Sequence, residues 1–365
     1  MVPTTIRHLF VEDMTIELHE PFGIAGGAQE QARNLLVTVE LDDGTCGYGE
    51  AAPFAAFNGE TPERARMALE TARVIVEGAD VREWRAIAAA LAAQALVGSA
   101  RCAIETAILD ALLRRAALPL WAFFGGATTS LETDMTITTG SVEAATAAAH
   151  DILARGITTI KVKIGGGDLQ LDLDRLRAIH AVAPFSPLIL DGNGGYTADS
   201  ALQLLALLHE RGIRPVLFEQ PVAGSDYSGL RQVSRWGGVR VAADESVTGV
   251  ADVLALANER AMHVVNIKLM KCGIVEALDI AAVARSRGLG LMICVMVEST
   301  MALTVSACLA AGLGGFQFVD LDTPLFMVQM PLQGGMRYDG SQIRLDAITA
   351  GHGVVPLGSP GIRLE

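Results

Sequence analysis

The chain carries no excess of basic charge, no closely spaced cysteines and no apolar leader. Its 28 Lys+Arg stand against 41 Asp+Glu, a formal net charge of −13. Composition therefore supplies no broad positive face for nucleic acid or an anionic membrane. The five cysteines, Cys46, Cys102, Cys272, Cys294 and Cys308, are scattered, odd in number and without a CxxC pair. This argues against a disulfide scaffold or a zinc knuckle and fits a reducing cytoplasm. The N-terminal MVPTTIRHLFVEDM lacks the charged head and apolar run of a secretory signal. Linkers and low-complexity segments are also missing. One stretch, Ser299–Val319, is free of charge, but Ser and Thr residues and a GLGG break at 312–315 interrupt it. It reads as a buried helix, a turn and a buried strand rather than a bilayer span.

What is present suits a large folded enzyme. The 365 residues are 51% apolar and 19% charged, which excludes wholesale disorder and suits a barrel with an appended domain. Leu35–Leu41 and Thr45–Glu50 flank AspAspGly at 42–44, a hairpin signal. Thr61-Pro62 opens a helix that runs to Gly78. Two Ala-rich helices follow, near 81–98 and 99–117. From about residue 133 apolar strands alternate with amphipathic helices. The strands fall at 133–139, 158–164, 187–191, 215–219, 239–243, 263–268, 289–296 and 316–320, at roughly 25-residue intervals, the size of a βα unit. Runs such as PLIL and RPVLF read as strands buried on both faces, hence parallel. The seventh and eighth helices are the least distinct. The tail from about 328 is strand-like and rich in Gly and Pro, suited to packing back on the N-terminal part.

Polar residues gather where barrel active sites lie, at the C-terminal ends of these strands. They are Lys161 and Lys163, Asp191 and Asn193, Glu219, Asp244 with Glu245 and Ser246, Lys268, and Asp320 with Asp322. Positions two apart share a face of a strand, so the lysines of KxK point together, as do the aspartates of DxD. Asp191, Glu219 and Asp244 form a hard, all-oxygen set whose mutual repulsion calls for a cation, Mg²⁺ rather than zinc. Lys163 and Lys268 flank that set and can address opposite faces of one carbon, with Lys161 and the metal lowering the proton affinity of a lysine base. Each element has a bland alternative. KxK is commonly two solvated lysines, and Asp244 or Asp199 could be helix N-caps. GlyGlyGly at 165–167 lacks a following GK[ST] and reads as a turn. Cys294 has no His partner and reads as a core thiol. None of the seven His residues ends a strand. The whole set at neighbouring strand ends favours function.

The ordered motifs KVK at 161–163, DGN at 191–193, FEQP at 218–221, ADES at 243–246 and NIKLMKCGI at 266–274, with GYGEAAP at 47–53 and NGET at 58–61, resemble the enolase superfamily in its muconate-lactonizing branch. The resemblance covers essentially the whole chain. It implies an α/β fold: a modified TIM barrel, (β/α)7β, lacking the last helix, with an α+β capping domain built from the N-terminus and the C-terminal tail. The expected divisions are 1–128, 129–327 and 328–365. DLD at 320–322 resembles the DxD of dipeptide epimerases, where two aspartates hold the substrate's N-terminal ammonium. The family further implies Mg²⁺ on Asp191, Glu219 and Asp244, binding the substrate carboxylate. Lys163 and Lys268 would move the α-proton on opposite faces, and Lys161 would help stabilise the enediolate. Thr136 and Glu298 complete the substrate-binding set, with Asn193 and Glu245 in support. In Ala-Glu epimerases an arginine of the capping loop pairs with the Glu side chain. Here PheGlyIleAlaGlyGlyAla at 22–28 holds no cation, and Ile24 stands near that role. With Phe22, Phe54 and Phe57, it points to a dipeptide whose first residue is small and whose second is apolar. Muconate cycloisomerase and o-succinylbenzoate synthase share the lysines and the metal set but would leave Asp320 and Asp322 beside an anion. A ligand-binding barrel without turnover is the non-enzymatic alternative. The family adds self-association as the expected macromolecular partner.

Overall fold

The N-terminal strands show the period-two burial of a sheet with one covered face. In a computed structural model, which describes residues 4–24 and 27–358, β1 (Ile6–Ile24) pairs antiparallel with β2 (Gly27–Leu41), and β2 with β3 (Cys46–Ala51). Val37, Val39 and Leu41 of β2 are buried, packed against the helix Gly98–Arg115. The glycines of GYGEAAP serve that contact. A Cβ on Gly47 would lie 2.2 Å from the Ala107 carbonyl oxygen, and one on Gly49 would lie 2.0 Å from that of Ala103, so only glycine lets the helix press on β3. The helix Pro62–Val76 begins as its sequence suggests: Thr61 Oγ1 accepts from Arg64 N–H, with Pro62 in the first turn. The first strand of the sequence-derived hairpin runs back from Leu35 to Gly27 and pairs with β1, whose tip at Phe22–Ile24 reaches the barrel mouth. Ala25 and Gly26, inside the capping-loop stretch, lie outside the described residues.

After the short β4 (Ser130–Glu132), the eight strands β5 (Met135–Ile137), β6 (Ile160–Lys163), β7 (Leu188–Asp191), β8 (Leu217–Glu219), β9 (Val241–Ala243), β10 (Val264–Ile267), β11 (Gly290–Ile293) and β12 (Phe316–Val319) form one sheet in chain order. Every pairing within it is parallel. Asp134 N–H donates to the Val319 carbonyl at 3.0 Å, joining the first strand to the last. Long helices follow the first seven strands, and only the 3-10 turn Thr323–Phe326 follows β12. This is the (β/α)7β pattern. The charge-free stretch divides as its composition suggests, into a buried helix Thr300–Leu313 capped by Ser299 and then β12. No helix among the described residues is long and apolar enough to cross a membrane.

Inside the barrel the alternation of strand side chains stacks two layers. Ile189, Leu217, Ala242, Val264 and Met292 form an apolar floor. The residues two positions on, Asp191, Glu219, Asp244, Asn266 and Cys294, form the polar layer above it. The tail supplies β13 (Leu332–Gly334), β14 (Arg337–Asp339), β15 (Gln342–Arg344) and β16 (Val354–Pro356). It ties to both parts of the molecule: β15 pairs with β4, Val328 N–H donates to Glu17 O, Leu120 N–H donates to Gly351 O, and Gly351 N–H donates to Leu118 O.

Candidate active site

The polar layer is a charge network. Lys161 and Lys163, at the end of β6, both point inward. Lys161 Nζ lies 3.0 Å from Asp191 Oδ2, 2.8 Å from Glu219 Oε2 and 2.5 Å from Asp320 Oδ2. Lys163 Nζ lies 2.6 Å from Asp191 Oδ2. Four strands away, Lys268 Nζ meets Asp244 Oδ2 at 2.6 Å and sits 4.3 Å from the centroid of the Phe57 ring. Asp244 is no helix N-cap, because the next helix begins after Gly249. Asp199 lies in the first turn of a helix capped by Thr197, and Gly165–Gly167 make the expected strand-to-helix turn before Asp168 caps its helix.

The same residue types differ sharply in proton affinity. Burial raises Glu219, and Asp191 and Asp244 push it further, to about 7. Glu245 rises to about 8, through burial and then Asp244 and Asp191. Burial would raise Asp191 and Asp244 too, but Lys161 and Lys163 hold the first below the usual carboxylate range, and Lys268 and Lys271 hold the second. Burial and Lys161 push Lys268 down as the sequence suggested. Asp244, Cys294 and Glu219 together outweigh them and hold it well above the ordinary lysine range, so in this network Lys268 is an ammonium.

Three buried carboxylates and the half-buried Glu245 thus crowd one side of the barrel, and Glu245 Oε2 has no hydrogen-bond partner. An all-oxygen, mutually repelling set of this kind fits a hard divalent cation. Neighbours fix its geometry. Asn266 Nδ2 donates to Glu219 Oε1 at 2.6 Å, and Asn193 Nδ2 donates to Glu245 Oε1 at 3.2 Å. Lys271 Nζ donates to Asp244 Oδ1 and O. The Gln220 amide accepts from Asp244 N–H and Ser246 N–H and donates to Ser246 Oγ and Val222 O. That full engagement holds Gln220 at φ 32°, a left-handed backbone seldom adopted without such support.

One cavity opens onto this network. Lys163, Lys268 and Asn193 line one part, Thr136, Cys294, Asp320, Asp322 and Thr323 a second, and Phe22, Ile24, Phe54, Phe57, Val295 and Met296 the wall. Phe22 is braced by an edge-on contact with Phe326, centroids 5.5 Å apart. Among the described lining residues Lys163 and Lys268 are the cations. Glu298 is not part of the lining: its Oε1 accepts from Met296 N–H at 2.7 Å, and burial raises its carboxyl to about 8. It shapes the loop after β11 rather than facing the cavity. Glu245 likewise stands behind Asn193.

At the seam between β5 and β12, Asp322 Oδ2 accepts from Thr136 N–H at 2.7 Å, and Asp320 Oδ2 accepts from Lys161 and, at 2.8 Å, from Cys294 Sγ. Against burial, Lys161 and Lys163 hold Asp320 down at about 2, whereas burial and Asp320 lift Asp322 to about 7. Asp134 joins them: the three bring oxygens within 4.8 Å of one another, a grouping able to hold a cation. Sequence reasoning missed Asp134, Asn266, Lys271 and Gln220 and placed Cys294 in the core. Period two from Val264 to Lys268 could have found Asn266, and from Met292 to Cys294 the thiol. No comparable signal marks Asp134.

Residues 6–125 match the mandelate racemase/muconate lactonizing enzyme N-terminal domain, and residues 143–357 match the enolase C-terminal domain-like family. The chain is 51% identical to an aromatic dipeptide epimerase of Herpetosiphon aurantiacus, over 97% of this chain and 99% of that protein. Among solved structures it is similar to a mandelate racemase/muconate lactonizing enzyme from Roseiflexus sp., at 62% identity and a TM-score of 0.94, covering 98% of this chain and 99% of the other. It is also similar to the dipeptide epimerase from Enterococcus faecalis solved with Mg and L-Leu-L-Tyr, at 31% identity and a TM-score of 0.92, covering 96% and 99%.

Proposed function

Because the chain belongs to the mandelate racemase/muconate lactonizing enzyme family, with its enolase-like C-terminal domain, we propose that it is a Mg²⁺-dependent dipeptide epimerase. It inverts the α-carbon of the C-terminal residue of an L-Ala-L-Xaa type dipeptide whose second side chain is apolar. The observation that carries this reading is the single cavity onto which Lys163, Lys268, Asp320 and Asp322 all open. Lys163 on strand β6 and Lys268 after β10 stand four strands apart. A substrate between them presents one face of its α-carbon to each, so one lysine removes the proton and the other returns a proton on the opposite face. Asp320 and Asp322 take the free ammonium, for which a charge-assisted hydrogen bond is the strong choice; a diacid would meet repulsion there. Asp191, Glu219 and Asp244 would hold Mg²⁺, which supplies positive charge against the negative charge the substrate carboxylate gains as the α-proton leaves. Lys161 provides a fixed cation beside that carboxylate, and Asn193 and Glu245 brace the site.

The apolar wall sets the side-chain preference. Phe22, Ile24, Phe54 and Phe57 surround the space left for the second residue, and an acidic side chain there would be buried without a partner. The 51% identical relative acts on aromatic dipeptides, in line with such a wall. Thr136, Cys294 and Thr323 crowd the ammonium end and suit a small first residue. The described cysteines are all free thiols, consistent with the reducing cytoplasm we infer.

The test is incubation with Mg²⁺ and pooled L-Ala-L-Xaa dipeptides in D₂O, read by mass spectrometry. A gain of one mass unit in apolar and aromatic members is the expected result. Equal exchange in L-Ala-L-Glu and L-Ala-L-Leu would remove the side-chain assignment. No exchange in any member, by protein that binds Mg²⁺, would remove the epimerase reading.

A further inference from the structure

We propose that Asp134 is a proton-carrying third acid of the ammonium site: its carboxyl donates to the Asp320–Asp322 pair and so leaves that pair with the charge one substrate ammonium matches. The proposal rests on the ammonium reading of the pair. Asp134 immediately precedes β5 and lies two residues before Thr136, on the same inward face. Its backbone forms the seam bond to Val319, the residue before Asp320. Only 2% of the residue is exposed, yet neither carboxyl oxygen has a hydrogen-bond partner. Its nearest acidic neighbours are Asp320 and Asp322, with oxygens of all three within 4.8 Å. A third ionised carboxylate, buried without a donor and beside two others, would be among the costliest arrangements a core can hold. A protonated one finds its acceptors at hand.

The groups that face Asp134 can be named. Asp320 and Asp322 come from the loop after β12, and Lys161 from β6. Tyr338 of β14 stands beside the two aspartates, its hydroxyl donating to the Leu321 carbonyl at 2.7 Å. Lys163 and Cys294 act on Asp320. Burial and then Asp320 drive the Asp134 carboxyl well above its usual range, against Lys161. With Asp134 neutral, two negative charges remain. Lys161, already shared with Asp191 and Glu219, meets that of Asp320, and the substrate ammonium meets that of Asp322. Asp134 does not line the cavity, so it acts through the pair as a positioning residue.

The experiment measures kcat and KM for L-Ala-L-Phe and its N-acetyl form with Mg²⁺ present, from about pH 5.5 to about pH 8.5, a window spanning the raised carboxyls. Wild type, Asp134→Asn and Asp134→Ala are compared, and the melting temperature of each is recorded. Asn keeps a neutral donor of the same shape. Its KM should stay within about threefold of wild type with the acid limb of the KM profile unmoved, while Ala raises KM about tenfold or more and changes kcat less, as loss of a hydrogen bond to a charged group does. If Asn raises KM as far as Ala, or shifts the acid limb to lower pH because a native negative charge beside Asp322 was removed, the proposal is overturned. Should the Ala variant not fold, the acid limb of the Asn variant decides alone. Equal wild-type turnover of the N-acetyl dipeptide removes the ammonium reading itself, an outcome separate from any behaviour of Asp134.

Discussion

The barrel holds two clusters of buried carboxylates that differ in the cations set among them. On the β7–β9 side, Asp191 has Lys161 and Lys163, and Asp244 has Lys268 and Lys271. Both stay ionised, and Glu219 and Glu245 between them bear the repulsion. At the β5–β12 seam, Lys161 serves Asp320 alone, and Asp322 and Asp134 are both pushed up. Carboxylates set in one barrel thus keep different charges. In the function proposed above, the first cluster's fixed negative charge serves a divalent cation and the second's serves one ammonium. The lysines between them belong to both: Lys161 bridges the clusters, and Lys163 and Lys268 border the cavity that runs from one to the other.

The largest expected effect falls on what lies between the clusters. Lys268→Ala should lower epimerisation by about 10³-fold, the scale of a lost general acid or base, while solvent deuterium still enters from the epimer whose proton faces Lys163. Equal loss of exchange from both epimers would mean that the lysines do not divide the faces. Next come variants that separate the clusters by kinetic parameter. Glu219→Gln should lower kcat by about 10²-fold and raise the Mg²⁺ concentration needed for activity. Asp322→Asn should raise KM about tenfold with a smaller change in kcat, the mark of an interaction made equally in ground and transition states. A kcat-only loss in Asp322→Asn would erase the distinction between the ends.

A thermal measurement sharpens the same contrast. Glu219 at about 7, Glu245 at about 8 and Asp322 at about 7, with Glu298 at about 8 and Glu105 at about 7 outside both clusters, each hold their protons more tightly folded than unfolded. The folded state therefore binds more protons than the unfolded one above about pH 4.5, and stability should fall as pH rises from there towards 8. Asp191, Asp244 and Asp320, held low, act in the opposite sense and only below about pH 4. Melting temperatures taken at intervals from about pH 5 to about pH 8 in EDTA should show that fall. Excess Mg²⁺ should flatten the part due to Glu219 and Glu245 and leave the rest, of which Asp322's share is what Asp322→Asn removes. If that variant no longer alters the slope in Mg²⁺, the seam is also a metal site.

The two clusters were also unequally legible in the sequence. Asp191, Glu219 and Asp244 end strands of continuous apolar residues, LIL, VLF and VAA, where the break in polarity marks the end of each strand. The eight strands of the barrel followed from the same punctuation, whereas the missing last helix came only from the family resemblance. Asp320 and Asp322 were readable because a charge-free stretch ends on them. Asp134 was not, because β5 is three residues long and its flanks, LETD and TITTG, give no contrast between buried and exposed. Asn266 and Lys271 were hidden differently: they lie inside a quoted motif, and only three-dimensional contacts tell a ligand from the residue that holds it. The hairpin β1–β2 escaped because β1 alternates polar and apolar residues only in part, buries few of them, and shifts register between Glu17 and Phe22. Glu298 failed for the converse reason. In the sequence it follows an apolar run as a strand-end carboxyl does, yet β11 stops at Ile293 and the loop turns Glu298 back onto the Met296 amide.

The smallest expected effect tests whether charge alone separates the clusters. Cys294, a neutral side chain of the polar layer, donates to the DxD pair, its Sγ 2.8 Å from Asp320 Oδ2. A thiol is a weak donor, and the same oxygen already meets the Lys161 ammonium at 2.5 Å, a charge-assisted contact roughly twice as strong as a neutral one. Burial and Asp320 both raise the Cys294 thiol, so it stays protonated and brings no charge of its own. Cys294→Ala should therefore change KM by no more than about threefold and kcat by less, within the net worth of a single neutral hydrogen bond. Cys294→Ser, a stronger donor of similar shape, should fall on the other side of wild type by a similar margin. A tenfold rise in KM for the Ala variant would show that Asp320 depends on the thiol for its orientation, and the ammonium end would then be defined by packing as much as by the uneven sharing of Lys161.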